Sequence, residues 1–191
     1  MKKYVLILAG IPASGKTAYA KHIANKLGIP QICKDDIKIE LYNILRYDPT
    51  SREDSKTYGA ASYAAFYYFA ECLMKTGQPF IMESNFTPAS KNTLEPLMEK
   101  YGYTPLTIMF DAESKVLHDR FVKRDRSPLR HAGLKSQAHY DFGYFDTTTA
   151  PLRDFKVGEK IVIDTTELEK VDYAQIDSMV YSFIEKEEYR G

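Results

Sequence analysis

Cysteine is scarce in these 191 residues: Cys33 and Cys72 are the only two. Two cannot build the disulfide framework of a small secreted domain or a four-cysteine zinc site. Both sit among apolar neighbours, so they read as buried thiols rather than a redox pair. Histidine is equally thin, with His22, His118, His131 and His139 forming no pair in a metal-ligand context. Net charge is absent too, since 26 Lys plus Arg face 26 Asp plus Glu. Overall electrostatics therefore gives no route to nucleic acid, a local patch excepted. No apolar run approaches the roughly 20 residues of a membrane-spanning helix. Lys2 and Lys3 precede the apolar run Tyr4 to Ala9 in the manner of a secretory leader, but the run is short and cleavage there would cut a motif described below. The expectation is a cytoplasmic protein with no membrane partner.

What is present is an ordinary globular composition, 44% hydrophobic and 27% charged, in a length suited to one core. A single domain over residues 1–191 is expected, with no internal repeat or low-complexity linker. Tyr4 to Ala9 is continuously apolar and ends at Gly10, the pattern of a strand buried on both faces of a parallel sheet. Helical spacing follows from Thr17 to Leu27, stopped by Gly28. Further strands are predicted at Gln31 to Cys33, Pro79 to Glu83, Leu106 to Phe110 and Ile161 to Ile163. Helices are predicted near Ile37 to Leu45, Ser55 to Met74, Ala89 to Tyr101, Ser114 to Arg124 and Tyr173 to Glu187. Alternation of this kind predicts an α/β three-layer sandwich around a five-stranded parallel sheet. Two excursions interrupt it: the polar stretch Tyr47 to Thr57, and Asp125 to Lys156, long enough to be a lid.

The strongest local signal is Gly10-Ile11-Pro12-Ala13-Ser14-Gly15-Lys16-Thr17, a G-x-x-x-x-G-K-T between a predicted strand and helix. Its glycines let successive N–H groups, including that of Ala18 in the first helical turn, converge on an anion, and Lys16 adds a full positive charge. The Thr17 hydroxyl is placed to ligate a magnesium ion bridging the outer phosphates of a nucleotide such as ATP.

Lys34-Asp35-Asp36-Ile37-Lys38 follows the second strand, at the strand end where the glycine-rich loop also lies. Either carboxylate could accept a hydrogen bond or a proton from an acceptor hydroxyl, or cap the helix predicted from Ile37. We assign the acceptor role to Asp35 and the cap to Asp36. Glu83, ending the third strand, is a candidate magnesium ligand, and Ser84 and Asn85 are placed for phosphate, substrate or a turn. Asp111 ends the fourth strand similarly, and helix capping before Glu113 accounts for it.

From Lys115 to Lys135 seven Lys or Arg face two Asp, a basic segment in a neutral chain. Arg120 and Arg124 share one helix face, and Arg126 and Arg130 lie in the predicted lid, where guanidinium groups could reach a transferring phosphoryl. The alternative is a solvated basic face balanced by residues 159–191, with nine acids and four bases. Tyr63, Phe66, Tyr67, Phe69 and Leu73 read as the core face of a helix, while Tyr140, Phe142, Tyr144 and Phe145 crowd with Gly143 into a loop.

In the order of these parts the chain resembles the P-loop kinases that include zeta-toxin-like and polynucleotide-kinase-like ATPases, relatives of the nucleoside monophosphate kinases. The resemblance implies a P-loop NTPase fold with a lid insertion and an ATP- and Mg2+-dependent kinase acting on a hydroxyl of a small molecule or nucleotide. It implies that Asp35 activates the acceptor with help from Lys38, that Arg120 lies by the adenine, and that Arg124 reaches the phosphates; beside these, Asp36, Glu83 and Asn85 are our candidates for facing the substrate. The Asp164-Thr165-Thr166 stretch would border the base. Lys34 and Lys38 stand where Arg is common in such sequences, and Arg130-His131 continues into Ala132 rather than Pro. Two other readings remain at this level: an ATP-switched binding module, and a polynucleotide 5′-hydroxyl kinase.

Overall fold

The computed structural model describes residues 3–45, Asp48 and residues 51–188. Its strands and helices alternate: β1 (Tyr4–Gly10), α1 (Lys16–Leu27), β2 (Gln31–Cys33), α2 (Lys34–Ile44), α3 (Arg52–Thr76), β3 (Phe80–Glu83), α4 (Lys91–Tyr101), β4 (Thr104–Asp111), α5 (Ser114–Asp125), α6 (Phe142–Thr149), β5 (Glu159–Asp164) and α7 (Tyr173–Glu188). The five strands form one parallel sheet in the order β2-β3-β1-β4-β5, the α/β sandwich the sequence predicts.

Every residue of β1 is buried because helices cover both faces of the sheet. Leu6 and Leu8 pack with Tyr19, Ala20 and Ile23 of α1 and Ile176, Val180 and Phe183 of α7 on one face. Val5, Ile7 and Ala9 pack with Phe66, Ala70 and Met74 of α3 and Leu94 and Met98 of α4 on the other. A third cluster, built on Ile11, Leu117, Phe121, Phe145 and Leu152, fastens α5 and the segment after it to the carboxyl edge of the sheet. That edge is where parallel α/β sheets place their ligands. Among the described residues no helix is long and apolar enough to cross a membrane.

Several expectations are corrected. Helix α2 starts at Lys34, directly after β2, so Asp35 and Asp36 lie in its first turn and Cys33 is the N-cap residue; neither acid caps a helix beginning at Ile37. Helix α3 starts at Arg52, where Ser51 Oγ accepts from the Asp54 N–H at 3.1 Å. The polar stretch Tyr47 to Thr57 thus ends inside α3, and part of it lies outside the described residues. Phe69 of α3 is 47% exposed rather than core, and Cys72 is only partly buried. The aromatic stretch after Tyr140 is helix α6, not a loop: the Asp141 carboxylate accepts from the Tyr144 N–H at 2.7 Å, and Phe145 is fully buried.

Candidate active site

The turn after β1 is built around a backbone contact that only glycine permits. Gly10 has φ 150°, and a Cβ there would stand 2.3 Å from Phe110 O of the neighbouring strand. The loop then passes through Ala13 in the left-handed region and starts α1 from a left-handed Gly15, which leaves the first N–H groups of α1 at the loop. Within it Ser14 Oγ is buried without a hydrogen-bond partner, an unmet polar group of the kind a bound phosphate satisfies. The Ala18 N–H, by contrast, donates to Gly15 O at 3.0 Å.

Lys16 is buried, which pulls its pKa down despite the opposing pull of Glu83 and Asp35. Its Nζ stands 3.9 Å from Glu83 Oε1, beyond hydrogen-bond distance, so its charge is incompletely compensated. The Thr17 hydroxyl donates to the same oxygen at 3.1 Å. Thr17 and Glu83 therefore present two hard oxygens side by side next to the loop, a donor set that fits magnesium, which takes most of its ligands from phosphate and water. Glu83 Oε2 accepts from the Cys33 thiol at 2.8 Å.

Across from the loop, Asp35 accepts from Lys34 Nζ at 2.6 Å. Burial pushes the Asp35 pKa up, but Lys34, Lys16 and Arg130 more than offset this and hold it below the usual value, so the carboxylate is ionised at neutral pH. A cavity of about 330 Å³ is lined by Lys16 and Thr17 on one side, by Asp35, Asp36, Lys38 and Asn85 on another, and by Arg124 and Arg130. Asn85 Oδ1 is buried there without a partner. The wider open groove of about 610 Å³ beside Lys21, Asn25 and Gln31 lies at the opposite end of α1, away from the loop, and carries no carboxylate.

The segment between α5 and β5 covers the cavity. Asp125 is wholly buried, accepts from the Ser136 N–H at 2.9 Å, and lies 3.7 Å from Arg130 Nε, a nitrogen that has no hydrogen-bond partner. Arg124 stands over the Phe121 ring, 5.7 Å from its centroid, and Arg126 over Tyr140 at 5.2 Å. The 3-10 turn Ala132–Leu134 docks on α2: a Cβ on Gly133 would meet the Tyr42 ring at 2.1 Å, and His131 Nε2 is 3.1 Å from Asn43 Oδ1.

Arg120 lies elsewhere. Its guanidinium donates to Thr165 O and Thr166 O at 2.7 and 2.8 Å, tying α5 to the turn after β5. That turn reaches the glycine-rich loop, since a Cβ on Gly15 would touch Leu168 at 3.5 Å. The Thr165 hydroxyl is committed to Asp111 O at 2.9 Å. Asp111 does not cap α5; its carboxylate accepts from the Ala112 N–H and from Arg153 Nε, each at 2.8 Å.

Sequence reasoning missed the Cys33–Glu83 contact, Tyr42 beneath Gly133, and the cavity-lining side chains Ser136, His139, Thr148 and Thr149. Only the first had a readable signal, because two residues at the ends of adjacent parallel strands must stand side by side.

The family model described as "AAA domain" matches residues 5–141. A solved structure described as a "putative kinase" from Chloroflexus aurantiacus J-10-fl aligns with a TM-score of 0.83 at 27% identity, over 95% of this chain and 98% of that one. A sugar kinase from Janibacter sp. HTCC2649 aligns at 0.60 and 16% identity, covering 97% and 95%. A gluconokinase from Sinorhizobium meliloti 1021 aligns at 0.51 and 14% identity, covering 96% and 92%. These two share the fold. A comparison with curated proteins finds none that matches.

Proposed function

The chain belongs to the AAA domain family, and we propose that within it this protein is an ATP- and Mg2+-dependent kinase moving the γ-phosphoryl of ATP to a hydroxyl of a small molecule or nucleotide. The observation that carries this reading is the shared cavity. Lys16 and Thr17, from the phosphate-binding loop, line the same space as the ionised Asp35. A nucleotide switch needs the loop but has no use for a carboxylate facing it across a shared cavity. The 27% identical structure described as a "putative kinase", aligned over nearly its full length, supports phosphoryl transfer in general. The Asp35 and Lys38 spacing supports a place among the polynucleotide-kinase-like and zeta-toxin-like kinases.

In this reading the loop N–H groups, Ser14 and Lys16 hold the outer phosphates, and Thr17 and Glu83 hold the magnesium ion. Magnesium, when bound with ATP, supplies neutralisation of charge between the outer phosphates. Arg124 and Arg130 bear on the transferring group, and residues 125–156 act as the lid that carries Arg130 over it. Phosphoryl transfer makes modest demands on a base, so Asp35, held ionised by three cations, orients the acceptor hydroxyl and takes its proton late. Arg120, Thr165 and Ala18 flank the nucleoside and inner phosphate. A panel of metabolites and oligonucleotides incubated with labelled ATP tests the proposal: label on a small molecule supports it, label on an oligonucleotide end makes the protein a polynucleotide kinase, and release to water alone contradicts it.

A further inference from the structure

The charges around the cavity do not balance. Five cations line it, Lys16, Lys34, Lys38, Arg124 and Arg130, against the carboxylates of Asp35 and Asp36, with Glu83 behind Lys16 at 3.9 Å and Asp125 behind Arg130 at 3.7 Å. Lys34 is neutralised by Asp35 at 2.6 Å. On the kinase reading proposed above, Lys16, Arg124 and Arg130 serve the transferring phosphate. Lys38 is left over. Among the described residues it has no carboxylate within ion-pair distance, and its ammonium rests 5.3 Å from the centre of the Tyr42 ring. Burial, together with the like charges of Lys34 on its own helix and Arg130 on the covering segment, brings its pKa down to about 8, with Asp35 opposing. A half-buried cation held among other cations is a costly arrangement unless an anion arrives from outside.

We infer that the acceptor carries its own anionic group, a carboxylate or a phosphate, which Lys38 binds while Asp35 holds the hydroxyl to be phosphorylated. The inference rests on the kinase reading for what Asp35 does. Asp35 and Lys38 are three residues apart on α2, which makes them surface neighbours with Cβ atoms about 5–6 Å apart. Both side chains line the one cavity, so anion and reactive hydroxyl belong to the same small molecule. The cavity of about 330 Å³ must also admit the γ-phosphoryl, so it suits a compact polyol better than a nucleotide. Asn85 Oδ1, buried and unpartnered on its wall, is an acceptor for a second hydroxyl.

Two matched series test this: glycerol, glycerate and glycerol 3-phosphate, and glucose, gluconate and glucose 6-phosphate. Binding of each to the full chain, loaded with magnesium and a non-hydrolysable ATP analogue, is measured by calorimetry. The inference expects an anionic member of at least one series to bind on the order of 10-fold or more tightly than its neutral parent. The carboxylate and phosphate arms distinguish the two sources of charge. Lys38→Met should abolish the difference and leave affinity for the ATP analogue unchanged. It is overturned if no anionic member outbinds its parent, including the case in which none binds, or if the preference survives Lys38→Met. Labelled ATP then separates this from the kinase reading. An anion preference that depends on Lys38 without transfer to any acceptor sinks the kinase and leaves the anion site, whereas equal transfer to the neutral parents sinks the anion site and leaves the kinase.

Discussion

The Cys33 thiol donates to Glu83 Oε2 at 2.8 Å, which leaves Oε1 of the same carboxylate to the Thr17 hydroxyl. The two residues are register partners at the carboxyl ends of β2 and β3, and both are buried. Burial and then the Glu83 charge push the thiol pKa up, so Cys33 stays protonated and remains a donor.

Removing that donor strands one oxygen of a buried acid. Cys33→Ala should cost about 1–3 kcal/mol of stability, the usual penalty for a buried polar group left unpaired. Cys33→Ser keeps a donor and should recover most of it. Thermal unfolding of the two variants is the check, and identical melting would mean the contact contributes nothing.

Lys16→Ala removes a charge that bears on both ATP and the transition state. Weaker ATP binding and a fall in turnover on the order of 100-fold or more are expected. A folded Lys16→Ala protein with near-normal turnover would remove the phosphate cradle from the account.

Arg130 is 3.7 Å from Asp125 with its Nε unbonded, and among the described residues Arg124 rests on the Phe121 ring without a hydrogen bond, so both line the cavity with donors that a ligand could engage. Of Arg124→Ala and Arg130→Ala, at least one should lower kcat more than it raises the KM for ATP, because the contact is made late in the reaction. Unchanged kcat in both variants, with unchanged melting, would return the basic segment to a solvated face.

Gly133→Ala tests the docking of that segment on α2. The new Cβ would meet the Tyr42 ring at 2.1 Å, so the turn must move off the helix or the ring must rotate. Overpacking of this kind typically costs about 1–3 kcal/mol. The displaced turn should also lower transfer, measured alongside unfolding, and replacing Tyr42 by Ala in the same protein should restore part of both. No effect on either would show that the contact is unimportant to the site.

Much of this was legible in the sequence because a parallel sheet buried on both faces leaves continuous apolar runs, and the G-x-x-x-x-G-K-T signature sits where β1 gives way to α1. The start of α2 was misread because Lys34, Asp35 and Asp36 look like a polar loop, whereas Cys33 leaves the strand and enters the helix with no loop between. Helix α6 was missed because it is eight residues long and owes its existence to the burial of Phe145 and the Asp141 cap rather than to a periodic pattern. Contacts such as Arg153 on Asp111 and Gly133 on Tyr42 join residues 42 and 91 positions apart, respectively, and no local pattern announces them.

The shared cavity makes Asp35 the residue on which the account turns. Phosphoryl transfer by Asp35→Asn, measured with labelled ATP and an acceptor found by the panel, tests it most directly when ATP binding and melting are followed on the same protein. Asn keeps the size and a hydrogen-bonding oxygen but carries no charge and takes no proton, so transfer should fall on the order of 100-fold or more with ATP affinity intact. Asp36→Asn, altered at an exposed first-turn position, should fall far less. Normal transfer by Asp35→Asn would contradict the assignment and pass the acceptor-facing role to Asp36 or Glu83.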